Sequence, residues 1–331
     1  LLGRSFFKEH FGEDAETPVL WLPDVFGYSA ALPQLIKHAG LEYFFTTKIS
    51  WNQYNSMPYD SFWWQGIDGT RILSHFTTAP NSYDLTARRK TYNAEAIPGV
   101  IMHTWNNLAQ KEQQHTLLMS YGFGDGGGGP TREMLENIRE MKQFPGTPKV
   151  RQDKVWNFFR DLDAQSGDIL PTWNGELYFE LHRGTYTTQS RLKRANRRSE
   201  FKLHNAEFLA ALAHTLNAEF AYPQQDFDHA WKLVCLNQFH DVLPGTSITA
   251  VYPEALADHA EVHTLTDAIS ESALETLGAH LGGDVLLVNS TSFDSDALVL
   301  WPNAPEEATG IRTSDGNAIP AQRVEAGVLI D

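Results

Sequence analysis

A single cysteine, Cys235, in 331 residues excludes an internal disulfide and any metal centre built on several thiolates. It stands in "WKLVCLNQF" among apolar neighbours, which predicts an inert, buried thiol rather than a nucleophile. Basic residues are also scarce. Against 41 Asp and Glu there are 26 Lys and Arg, a formal net charge of −15. That balance argues against nucleic acid or an anionic membrane as partner, because both are held by basic surface and counterion release. The one basic cluster, "RLKRANRRSE" at 191–200, has apolar residues interleaved and reads as the solvated face of a helix. No apolar run approaches the roughly 20 residues needed to cross a bilayer, and the opening "LLGRSFFKEH" lacks the basic-then-apolar layout of a signal peptide. These absences fit a reducing, cytoplasmic setting. The chain opens without Met and stops in the apolar "GVLID", so the expectation is a piece of a longer polypeptide.

What is present is ample apolar material, 42% hydrophobic and 12% aromatic, enough for a large core and two or three domains. From 18 to about 145 short apolar runs alternate with helical patterns. "VLWL" (19–22) and "YFFT" (43–46) bracket "SAALPQLIKHAG", where Leu32, Leu35, Ile36 and Ala39 fall at helical spacing. Such strand–helix–strand units favour a parallel sheet with catalytic groups at the carboxyl ends of its strands. "RILSHFT" (71–77) and "TLLMSY" (116–121) read as further strands, and "TREMLENIREMKQF" (131–144) as an amphipathic helix after Pro130. From about 152 to 280 the pattern is helical: "DKVWNFFRDLDAQ", then about 187–217, 228–239 and 250–279. After Gly282 and Gly283, "DVLLVNSTSF" and "ALVLWP" alternate as strands of a β domain do. The expected organisation is an α/β domain over 1–150, a helical bundle over 151–280 and the start of a β domain over 281–331.

Four segments carry the chemistry. "WLPDVFGYS" (21–29) puts Asp24 at the end of an apolar run, where a turn begins. "YGFGDGGGGP" (121–130) carries Asp125 past the end of an apolar segment. Its glycines formally satisfy a dinucleotide fingerprint, but Pro130 delays the following helix and the acid expected on a second strand is missing. A plain turn is the other reading, and dinucleotide-dependent redox chemistry ranks last. "VCLNQFHDVLPGTSI" places His240 and Asp241 at the end of an apolar helix; an isolated His is more often a hydrogen-bonded core residue than a ligand, and an adjacent Asp changes that little. None of the thirteen histidines stands in a His-x-Asp or Asp-x-His pair, so no complete metal site follows from local spacing. "FWWQGIDGTR" (62–71) sets Trp63 and Trp64 before Asp68, a mixture that suits stacking on a sugar ring, though the indoles equally suit a core.

Together "WLPDVFGYSAALPQ", "FWWQGIDGTR", "GDGGGGP", "ELHRGTYTTQSRLKRANR" and "NQFHDVLPGTSI" resemble, in order, the motif series of the glycoside hydrolase family 38 α-mannosidases, in their bacterial and cytosolic–vacuolar branch. The resemblance implies a retaining, zinc-dependent α-mannosidase with a partial seven-stranded β/α barrel, a helical middle domain and β domains. By that implication Asp24 is nucleophile and zinc ligand, His240 a second ligand, Asp125 the acid/base, and Trp64, Asp68 and Asp241 contact an α-mannoside or oligosaccharide. Gly126 departs from the pair of aspartates that other branches carry at the acid/base. Two more zinc ligands, a His-x-Asp pair, are expected upstream of Leu1, which would leave this piece inactive or impaired. Self-association of the full-length protein is a further implication. A catalytically silent carbohydrate-binding relative is the alternative.

Overall fold

The computed structural model describes residues 1–15, 17–308 and 310–330 and divides into two compact units, 1–188 and 189–331. The first opens with α1 (Leu2–Phe11) and then alternates β1 (Val19–Trp21), α2 (Leu32–His38), β2 (Tyr43–Thr46), β3 (Ser61–Gln65) and β4 (Arg71–Phe76). Helices α3 (Pro98–Asn106), α4 (Arg132–Met141) and α5 (Val155–Ser166) follow, and β5 (Thr172–Asn174) closes the series. The five strands form one sheet in the order β1-β2-β4-β3-β5. Strands β1, β2 and β4 are mutually parallel, while β3 returns antiparallel to β4 as a hairpin and β5 runs parallel to β3.

The two faces of the sheet follow the period-two alternation of its strands. Phe44, Phe62, Trp64, Ile72 and Phe76 point to one side, packed with Tyr28, Ile36, Leu177 and Phe179. Tyr43, Phe45 and Leu73 point to the other, against Phe158, Phe159 and Leu162 of α5. Helix α5, grouped with the helical segment on its sequence pattern, therefore packs on the sheet. An amphipathic stripe specifies that a helix buries one face, but not what it buries it against.

The strand expected at 116–121 does not form; only Tyr121 bridges, to Ala94. Helix α4 does form where its pattern falls, with the Thr131 hydroxyl capping the Met134 N–H at 3.2 Å.

The second unit contains α6 (Ser190–Leu216), α7 (Gln224–Asn237) and α8 (Val251–Leu281). Their core is Leu203, Ala206, Ala210, Phe227, Val234, Val262 and Ile269. Small residues on α6 let α8 approach closely along its length. Cys235, expected buried, is exposed on α7. Desolvation still raises its pKa, so the sulfur stays a thiol at neutral pH. Beyond Gly283 the expected strand at 284–293 is absent. Instead β6 (Val299–Trp301), β9 (Ala321–Val324) and β10 (Gly327–Ile330) pair antiparallel, and β7 (Ile311–Arg312) and β8 (Ala318–Ile319) form a separate ladder. Among the described residues no helix is long and apolar enough to cross a membrane.

Candidate active site

Because β1, β2 and β4 are parallel, the loops that leave them converge on one edge of the sheet. The loop after β1 brings Asp24, the short 3-10 turn after β2 brings Lys48 and Trp51, and the long loop after β4 brings Arg89 and Tyr92. Backbone bonds tie the first two loops together: the Thr47 and Lys48 N–H groups donate to Pro23 O at 3.1 and 3.0 Å. That fixes the carboxylate and the ammonium at the same height. Lys48 forms an ion pair with Asp24 Oδ1, their side chains only 9% and 14% exposed. Tyr92 donates its hydroxyl to Asp24 Oδ2 at 3.4 Å. The Lys48 ammonium lies 4.1 Å from the Trp51 ring centre and 5.5 Å from that of Phe26. Arg89 covers Trp51 at 5.2 Å, and Trp51 is in turn pinned by its indole N–H donating to Lys90 O at 2.9 Å.

The segment after β5 supplies the remaining wall. Tyr28 and Leu177 exchange backbone hydrogen bonds at 2.9 and 3.0 Å, a close approach that Gly27 permits: at φ +115° a Cβ there would lie 3.3 Å from Leu177 O. Tyr28 then donates its hydroxyl to Leu22 O at 2.6 Å and lies 2.7 Å from the Thr46 hydroxyl, bracing the ends of β1 and β2. Glu180 accepts from the N–H groups of Tyr54 at 2.8 Å and Asn55 at 3.0 Å. These donors hold its carboxyl below the usual range. The clamp places His182 edge-on to Phe26 and Phe179, each at 4.9 Å. Burial and the Lys48 charge lower the His182 pKa, so its imidazole is neutral at pH 7.

Asp125 belongs to the same edge. The Gly122 N–H donates to Ala94 O at 3.0 Å, two residues past Tyr92. Gly124 then packs on Tyr92, an added Cβ lying 3.7 Å from the ring that reaches Asp24. Asp125 follows with φ +51°, exposed at the tip. Gly122 is obligatory: its φ is +115° and a Cβ would sit 2.7 Å from Pro130 N. The sequence thus uses glycine to bring a carboxylate-bearing loop against Tyr92.

Two of the expected contacts within the first unit lie away from this edge. Asp68 lies in the β3–β4 turn, before β4, and so at the sheet edge opposite Asp24. Its oxygens accept from the Thr70 N–H at 2.9 Å and the Thr70 hydroxyl at 2.8 Å, and these bonds lower its pKa. That is a hairpin brace. Trp64 is fully buried beneath Tyr28 and Phe44, its N–H donating to Gly175 O at 2.8 Å. A ring with no exposed face has none to offer a sugar, so Trp64 takes the core role. In the second unit His240 follows α7, its Nε2 3.8 Å from Asp241 Oδ2 and its ring 4.2 Å from Phe239. Asp241 organises its own loop: Oδ1 accepts the Thr246 hydroxyl at 2.6 Å, and its carbonyl accepts the Thr246 N–H at 3.0 Å and the Ser247 hydroxyl at 2.8 Å.

Residue-type reasoning passed over Lys48, Tyr92 and His182. A signal existed for Lys48, which directly follows the apolar run "YFFTT", as Asp24 follows "VLWLP". As a metal centre the residues of this chain are insufficient. Asp24 already meets an ammonium and a phenol, and among the described residues no group of three or more His, Cys, Asp or Glu could hold an ion.

A buried carboxylate at the carboxyl edge of parallel strands stands where α/β folds carry their active-site residues. The chain belongs to the glycosyl hydrolases of family 38: its residues 1–176 match the family's N-terminal domain, and residues 180–277 match the alpha mannosidase middle domain. Among curated relatives it is 38% identical to human alpha-mannosidase 2C1 over 304 residues, covering 91% of this chain and 28% of that protein. It is 41% identical to the alpha-mannosidase of Saccharomyces cerevisiae over 259 residues, 76% of this chain and 23% of that one. The chain thus spans about a quarter of the length of these relatives. In fold it matches the crystal structure of an alpha-mannosidase from Enterococcus faecalis V583, with TM-score 0.73 at 18% identity, over 99% of this chain and 42% of that one.

Proposed function

We propose that the full-length protein hydrolyses terminal α-linked mannosides with retention, Asp24 acting as nucleophile and Asp125 as acid/base. The observation that carries this reading is the Asp24 carboxylate, withdrawn from solvent at the end of β1 and held by Lys48 and Tyr92. Membership of family 38 supports the substrate class.

In the first half-reaction the Asp24 carboxylate bonds to the anomeric carbon as the bond to the aglycone oxygen breaks. The protonated Asp125 carboxyl gives its proton to that oxygen. In the second, Asp125 takes a proton from water, whose oxygen displaces Asp24 and restores both carboxyls. Lys48 and Tyr92 fix the orientation of the Asp24 carboxylate, so the attack starts from a set geometry. The rings of Trp51 and Phe26 keep water from the ion pair, and in that dry setting each polar contact is strengthened.

The test uses the full-length protein with an aryl α-mannoside and a 5-fluoro-α-mannosyl fluoride trap. Turnover with retained configuration and a labelled peptide carrying the modification on Asp24 are expected. A label on another carboxylate removes the assignment of Asp24. Saturable mannoside binding without turnover selects the silent carbohydrate-binding relative instead.

A further inference from the structure

The basic stretch 191–200 is not absorbed by the mannosidase reading, and its geometry points elsewhere. Arg191, Arg194 and Arg198 lie at i, i+3 and i+7 of α6 and so share one face. Together with Ala195 of α6 and Leu256 and His263 of α8 they line a cleft of about 190 Å³. All three arginines are exposed. None has a carboxylate at ion-pairing distance among the described residues, whereas their neighbour Arg197 is paired with Glu200 and Lys202 with Asp267. Three exposed guanidinium groups on one helix face make the cleft locally positive in a chain of net charge −15.

The back of the cleft is built rather than frayed. His263 Nε2 lies 3.2 Å from the buried Ser199 hydroxyl, which lies 2.9 Å from Nδ1 of His259. His259 is 1% exposed, and its Nε2 has no hydrogen-bond partner. The cleft wall is thus continuous with a buried polar pair between α6 and α8. The His263 pKa is lowered by burial first and then by the charge of Lys202, with Arg198 of the cleft a smaller contribution in the same direction.

We infer that the α6–α8 cleft is a binding site for a small oligophosphate anion. The seven-residue span of the arginines covers roughly 10 Å of helix, longer than one phosphate and suited to a chain of two or three. Planar guanidinium groups match phosphate oxygens in pairs. Size also selects the ligand. Beyond a Debye length of about 8 Å the acidic remainder of the surface repels an extended polyanion such as nucleic acid, but a small anion experiences mainly the three arginines.

The experiment is calorimetric titration of the full-length protein with inorganic tripolyphosphate at low and at physiological salt, with orthophosphate in parallel. Expected are saturable binding that weakens with salt, orthophosphate weaker by about tenfold, and loss of about tenfold or more in affinity in Arg194→Ala/Arg198→Ala but not in Arg139→Ala, an exposed arginine on α4. In the same samples the His263 ring signals should titrate at higher pH with tripolyphosphate present, because the anion cancels the neighbouring positive charge. No saturable binding at millimolar tripolyphosphate, equal affinity for orthophosphate, or binding unchanged in the double variant overturns the inference. Mannoside turnover is measured alongside, so a failure of the catalytic reading is seen separately.

Discussion

Asp24 and Asp68 occupy opposite edges of one five-stranded sheet, and both sit in motifs where an acid follows an apolar strand. Asp68 is satisfied by the residue two positions on and leaves the rest of the fold untouched. Asp24 is held by residues 24 and 68 positions away, Lys48 and Tyr92, each carried by a different loop. A carboxylate whose partners are local stabilises a turn. One whose partners converge from three strand ends can be withdrawn from water and held for chemistry, because the loops of parallel strands leave from the same edge.

The largest expected effect comes from breaking that contrast at Asp24. Asp24→Asn in the full-length protein should lower kcat/KM on an aryl α-mannoside about ten-thousandfold, while Asp68→Asn stays within about twofold. Comparable losses in both would erase the distinction between the two edges. Next is Trp64→Ala, which opens a cavity beneath Tyr28 and should cost about 3–5 kcal/mol in denaturant unfolding. A Trp64 ring that instead contacts sugar would show a raised KM at unchanged stability. Lys48→Met leaves the Asp24 carboxylate without its cation and should cost about 3 kcal/mol. Pairing it with Asp24→Asn should recover part of that loss, since the charge left without a partner is then gone; a strictly additive double variant argues against the ion pair.

Asp60 sharpens the comparison, because it lies on the same edge as Asp24 without a cation so close. Burial pushes its carboxyl up to about 6, against backbone donation from Ala109 and the charges of Lys90 and Lys111. A raised carboxyl pKa means the folded state holds its proton longer. Stability from this group is full below about pH 4 and is lost as pH rises toward about 6, by roughly 3 kcal/mol in all. Asp60→Asn should therefore stabilise by about 1–2 kcal/mol at pH 8 and by little at pH 4. A gain equal at both pH values would remove the ionisation from the explanation. His75 acts in the opposite sense. Fully buried against Phe158, its imidazole is pushed down to about 3, so its neutral form favours folding above pH 6.5 and that stability is lost as pH falls below it. The smallest effect is that of Asp68→Asn on melting, a slight decrease confined to the hairpin.

Much of this architecture was legible. Strands β1, β2 and β4 and helices α2, α4, α6, α7 and α8 fall close to where periodicity places them. The misses share a cause. "TLLMSY" and "DVLLVNSTSF" have the composition of strands, but among the described residues the first finds only the Tyr121–Ala94 bridge and the second no partner strand, and a strand exists only by its ladder. Trp64 was readable equally as core or as a sugar platform, since an indole suits either; its alternation with Phe62 on the buried face of β3 decided for the core.

By itself, the sequence determined most of the elements, the family to which the chain belongs and the candidacy of Asp24 and Asp125, because local periodicity and motif order are written along the chain. Only the tertiary structure decided which acids share an edge, that Lys48 and Tyr92 hold Asp24, and that α5 covers the sheet. Those outcomes depend on strand direction and on contacts between residues tens of positions apart. No local pattern encodes them: they arise when parallel pairing carries distant loops to one edge and burial makes each unpaired charge there costly.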